Sequence, residues 1–161
     1  MLSREDFIQV VRNAPLVSID LIVRDSGGRV LLGMRNNRPA QGWWFVPGGI
    51  VRKNERLQQA FRRISEAELG SVHELDTARS LGQYEHLYED NFAGEPGFGT
   101  HYVVLAWELA LPPGAVDFPR LQHRDYRWAG LEELASDLAI HPHSRAYAAS
   151  LTRSLGSPPH V

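Results

Sequence analysis

Residues 47–70 constrain this chain more than any other stretch. Pro47-Gly48-Gly49 follows a short apolar run, Trp43–Val46, and leads through a brief loop into a helix expected from about Glu55 to Leu69. Leu57, Ala60, Phe61 and Ile64 recur at helical spacing and form one core-facing stripe. At about 100° per residue, Glu68 falls roughly 20° from Leu57 and roughly 40° from Ile64, so the stripe ends on a carboxylate. Glu66 falls roughly 180° from Leu57 and faces water. Gly70 suits the left-handed residue that closes a helix.

A carboxylate at the end of an apolar stripe is costly unless something pairs with it. Either the stripe runs out into solvent, or onto an arginine, or Glu68 is an oxygen ligand for Mg²⁺. The two glycines before the helix let the backbone turn tightly and offer its carbonyls and amides to a bound group. The combination of strand, glycine pair, loop and carboxylate-tipped helix favours the cation.

The remaining sequence frames this segment. Its 161 residues suit one domain, expected over 1–156 with an N-terminal helical arm at about 1–14 and a disordered tail at 157–161. Cysteine is absent, which excludes disulfides and thiolate chemistry. A net charge of −2 argues against general nucleic-acid binding. No apolar run approaches a membrane span, so a soluble, cytoplasmic protein is expected. Ser3 is a plausible cap for a first helix over 3–12. Residues 16–24 alternate, with Val17, Ile19, Leu21 and Val23 on one face and Ser18, Asp20 and Ile22 on the other, and 29–33 reads as the return strand of a hairpin. Strands are expected at 78–88, 101–110 and 125–129, and helices near 131–138 and 144–154. Residues 89–99 form a Gly-rich loop of the kind that often serves function. This order implies an α/β protein with a mixed sheet sandwiched between helices.

Segment 48–70, GGIVRKNERLQQAFRRISEAELG, resembles the signature of the Nudix hydrolases, with Gly49, Glu55, Arg63, Glu68 and Gly70 in register. Ile64 and Ala67 stand where that family carries further glutamates. The wider chain resembles the GDP-mannose mannosyl hydrolase branch through residues 4–23, RNNRPAQGWWFVPGG at 35–49, HLYEDNFAG at 86–94, THYVVL at 100–105, QHRDYRW at 122–128 and HSRAY at 143–147. That resemblance implies the α/β/α Nudix fold, a homodimer, and one Mg²⁺ per subunit held by the Gly48 carbonyl, Glu68 and Gln122. It implies attack of water at the sugar C1 of GDP-mannose or a related GDP-hexose, giving GDP and free sugar with inversion. A general base near neutrality suits a histidine, and the resemblance assigns His123. It assigns Arg35 to the diphosphate, Asp20, Tyr102 and His86 to the catalytic centre, and Leu2, Phe7, Tyr88 and Arg63 to substrate binding; Arg63, two turns along from Glu55 at the helix start, also reads as its ion-pair partner or a loop clamp. Phe7, Ile8, Val10 and Val11 offer an apolar face for dimerisation. His73, His141, His143 and His160 read as loop or tail residues.

One departure bears on activity. The branch has an arginine directly after the two glycines, and here that position is Ile50, with Arg52 two residues later. Two alternatives therefore stand beside the glycosyl hydrolase: a Nudix pyrophosphohydrolase cleaving at phosphorus, and a non-catalytic nucleotide-sugar binding module.

Overall fold

The computed structural model describes residues 1–112 and 117–155, and the expected disordered tail lies outside them. Helix α1 (Arg4–Asn13) is capped by Ser3, whose hydroxyl accepts from the Asp6 amide at 3.1 Å. Strands β1 (Leu16–Arg24) and β2 (Val30–Arg35) follow, then β3 (Trp44–Phe45) and β4 (Gly48–Ile50). Helix α2 (Leu57–Leu69) leads to β5 (Arg79–Tyr88) and β6 (Thr100–Ala110). Strand β7 (His123–Ala129) precedes helices α3 (Leu131–Ser136), α4 (Pro142–Arg145) and α5 (Tyr147–Leu155).

The sheet is mixed, in the order β3-β2-β1-β6-β5, with β4 paired to β1 and β7 to β2. The hairpin expected from β1 and β2 exists only at its turn, where Arg24 faces Val30. Beyond that point β1 is flanked by β6, in parallel, and by β4, so β2 diverges to pair with β3 and β7. The alternation in β1 feeds two cores. Ile19, Leu21 and Val23 pack with Ala60, Phe61 and Ile64 of α2. Ile22, on the opposite face, packs with Ala148 and Leu151 of α5. This is the helix–sheet–helix sandwich the sequence implies.

Three boundaries differ from expectation. Gly48-Gly49 is strand rather than loop, paired with Asp20 and Ile19. Helix α2 starts at Leu57, after an extended Arg56 whose amide donates to Gln59 Oε1 at 2.9 Å, while the Glu55 carboxylate accepts from the Arg52 amide and the Arg63 guanidinium. Strand β7 begins at His123 rather than 125, since its pairing with β2 extends to Arg35. The Gly-rich loop is tied down by fully buried Asn91, whose amide donates to the carbonyls of Glu95 and Phe98. Ile8 and Val11 of α1 are buried within the chain itself, so they are not free to form a dimer face.

Candidate active site

Helix α2 presents one buried carboxylate. Its core residues Ala60, Phe61 and Ile64 fix the helix on the sheet, and Glu68 follows on the same face at 3% exposure. Ile64 seats directly on Gly49, where a Cβ would lie 3.1 Å from Ile64 Cγ1. The apolar residue at this position thus belongs to the packing of helix on strand. The Gly48 backbone favours the charged form of Glu68, while Glu68 Oε2 is buried without a hydrogen-bond partner. A buried carboxylate oxygen without a partner is expensive and calls for a cation or a proton. Burial pushes Glu68 up to about 7 despite the nearby charge of Arg35.

A cleft of about 210 Å³ opens beside these groups. Asp20, Arg35, Gly48, His86, Tyr88, Tyr102 and Gln122 all line it, together with Ser18, Phe45, Gly49 and Ile50. Residues from β1, β2, β4, β5 and β6 therefore converge on one cleft. Gly48 faces Asp20 across the strand pair so closely that a Cβ would meet Asp20 Oδ1 and the Ile19 carbonyl at 2.6 Å. Arg35 is the only cationic side chain among the described lining residues. Its Nε donates to the Pro39 carbonyl at 3.1 Å and its guanidinium lies over the Phe45 ring. Tyr88 and Tyr102 meet edge to face at 5.9 Å. Asp20 is raised to about 7 by burial, offset by a hydrogen bond from Tyr147 and the charge of Arg35.

Other expected site residues lie elsewhere. Arg63 does not face the cleft: it grips Glu55 through Nε and Nη2 at 2.7 and 2.9 Å and donates to the Ile50 carbonyl at 2.8 Å. It clamps the loop to α2, and its pairing holds Glu55 down at about 2. Phe7 packs against Phe92 of the Gly-rich loop, and Leu2 is exposed, so neither reaches the cleft. His123 is 1% exposed and off the cleft wall; its Nδ1 lies 3.6 Å from Glu68 Oε2, and its Nε2 is buried without a partner. Burial lowers it to about 4, which keeps the ring neutral at pH 7.

Two features escaped the sequence reading. His141 and His143 are not loop bystanders: His143 stacks on His86 at 4.2 Å, and His141 packs against Phe45 and Tyr88. Tyr147, given no role from sequence, reaches Asp20. The HSRAY motif was the available signal, but nothing in its spacing shows which strand it meets.

His123 occupies space that only a glycine leaves. A Cβ on Gly33 would lie 2.4 Å from its Cδ2. Gly33→Ala is expected to destabilise the protein by about 1–3 kcal/mol, as overpacking does, and to displace His123 from Glu68. Urea unfolding with a crystal structure of the variant measures both; an unchanged midpoint would refute the clash.

A sandwiched mixed sheet thus sets a glycine-lined strand and a carboxylate-tipped helix beside a cleft holding one arginine. A NUDIX domain matches residues 14–151, and the chain belongs to the Nudix family. The chain is 44% identical over 107 residues to the low-salt glycan biosynthesis protein Agl8 of Haloferax volcanii. That match covers 66% of this chain and 66% of the relative, just under two thirds of each. The MutT protein of Methanosarcina mazei shares the fold at a TM-score of 0.71 and 20% identity, over 90% of this chain and 99% of that one. The MutT NUDIX hydrolase of Burkholderia pseudomallei matches at 0.66 and 26%, over 86% and 98%. No helix among the described residues is long and apolar enough to cross a membrane.

Proposed function

We propose that the chain hydrolyses GDP-mannose or a related GDP-hexose, with water attacking the sugar C1 and GDP departing. The observation that carries this reading is the single buried carboxylate of α2. Among the described residues no group of three or more His, Cys, Asp or Glu side chains could hold a metal ion. Glu68, the Gly48 carbonyl and Gln122 are hard oxygen donors, and the unpartnered Glu68 Oε2 fits one Mg²⁺ that keeps several waters and substrate oxygens. Held there, such an ion would supply positive charge for a departing diphosphate. Arg35, from the cleft wall, grips the same phosphates. Asp20, His86, Tyr88 and Tyr102 surround the sugar. The glycan-biosynthesis name of the Haloferax volcanii relative fits a sugar-nucleotide substrate.

The base is His123 by resemblance. With Nδ1 turned towards Glu68, its Nε2 lone pair is the one left for a proton. That atom lies below the surface, so turnover through His123 requires the start of β7 to expose it. Asp20 already stands on the cleft wall, and burial tunes it to about 7, near the ideal for a base at neutral pH. We propose a homodimer as the working form.

Hydrolysis in ¹⁸O-labelled water distinguishes the reactions. Attack at carbon places the label in the free sugar and leaves GDP unlabelled. Label in GDP, or release of GMP and sugar phosphate, would replace this reading with a pyrophosphohydrolase. Nucleotide-sugar binding without turnover would leave a binding module, for which Ile50 in the cleft wall is the supporting feature.

A further inference from the structure

The geometry points to Tyr147 as a positioning residue that fixes the Asp20 carboxylate at the edge of the cleft, a role that rests on the reaction proposed above. Tyr147 opens α5 and is fully buried. Its hydroxyl donates to Asp20 Oδ2 at 2.6 Å, joining residues 127 positions apart. The ring cannot swing away, because Tyr84 meets it edge-on at 4.8 Å and His86 lies 6.2 Å off. Tyr147 itself does not line the cleft, whereas Asp20 does. The other carboxylate oxygen, Oδ1, lies over Gly48. One oxygen is thus held from behind while the other stands beside the strand that carries the proposed metal carbonyl.

Satisfying a buried phenol does not explain this pair. A buried tyrosine hydroxyl needs an acceptor, and a backbone carbonyl would serve without burying a charge. A buried carboxylate is far more costly to keep. Its presence makes sense if Asp20 is the group that matters and Tyr147 the group that aims it. Tyr147 also touches His86, so one rigid ring holds two of the proposed sugar-facing residues in a common frame.

The test compares wild type, Tyr147→Phe, Asp20→Asn and the double variant, assayed for GDP release from GDP-mannose with Mg²⁺. Tyr147→Phe keeps the ring and its packing and removes one oxygen. The expected result is a fall in kcat of about 10- to 100-fold, the scale of a misplaced reacting group, with KM changed less than about threefold. In the Asp20→Asn background the same substitution should cost nothing further, because the two residues act as one unit. An unchanged kcat in Tyr147→Phe, or losses that multiply in the double variant, would overturn the assignment. A crystal structure of Tyr147→Phe decides the matter without activity: Asp20 should lose its fixed orientation, and a carboxylate left in place would sink the idea. If wild type releases no GDP from GDP-mannose, the substrate reading fails, and the structural comparison alone judges Tyr147.

Discussion

Glu68→Gln should lower kcat by about 10²–10³-fold, the scale seen when a group stabilising developing charge is removed, and should abolish the response of the melting temperature to Mg²⁺. The substitution keeps the shape of a side chain that is 3% exposed and removes only its capacity for charge. Its second consequence has the opposite sign. Burial raises the Glu68 carboxyl from its ordinary 4.5 to about 7. A group whose folded pKa exceeds its unfolded one adds stability at low pH, and that stability is lost as pH rises through the interval from about 4.5 to about 7. Metal-free wild type and Glu68→Gln should therefore melt close together near pH 4.5. Near pH 8 the variant should melt roughly 5 °C higher, since it has no charge to bury. Mg²⁺ should reverse that order by stabilising wild type alone. Calorimetry in chelator and in Mg²⁺ at both pH values checks the whole pattern. A variant less stable than wild type in chelator at pH 8 would show that Glu68 has a buried partner other than a metal.

The next largest effect is expected at Arg35. Arg35→Met should reduce kcat/KM for a nucleoside-diphosphate sugar by about 10²–10³-fold, and Arg35→Lys should recover only part of it, because an ammonium cannot match the planar fork of a guanidinium. No other cation lines the described cleft. Ile50 lines the cleft beside Gly49 and brings no charge to it, and Arg52 is exposed and does not line it. Arg35 also supplies the positive charge that offsets burial at Asp20 and Glu68. Steady-state kinetics and calorimetric titration with GDP report the two contributions separately. A kcat/KM within about threefold of wild type for Arg35→Met would remove this residue from diphosphate binding.

The layers of the fold were legible because they depend on local patterns. The period of α2, the alternation of β1 and the glycine at 70 each state a backbone conformation that burial then enforces: Ala60, Phe61, Ile64, Ile19, Leu21 and Val23 are buried as read, while Leu57 and Val17, at the ends of their elements, are exposed. The hairpin was misread because alternation shows that a strand has two faces but not which strands take its edges. Glu68 could be singled out from periodicity alone, since a carboxylate on an apolar stripe is an anomaly wherever it occurs. Gln122 carried no such anomaly; family resemblance alone selected it, and it does reach the cleft. Arg63 was assigned both to substrate and, with Glu55, to a loop clamp, and its donors to Glu55 and Ile50 serve the clamp. Sequence spacing shows that an arginine and a glutamate are near one another, but not whether either has capacity to spare. His141, His143 and Tyr147 were missed because their partners lie on β1, β3 and β5, far away along the chain.

The parallel pairing of β1 with β6 sets an order on how the cleft comes into being. Leu16 aligns with Tyr102, so β1 emerges from the ribosome long before its neighbour is synthesised. Such distant pairings close large loops and form slowly. Asp20 waits longer still, for a phenol supplied by α5. A nascent chain lacking α5 would display the apolar face of β1 and an unanchored acid, the kind of species that aggregates or recruits chaperones. Docking of α5 is thus the step at which the sheet becomes covered on its second face and the acidic centre becomes fixed.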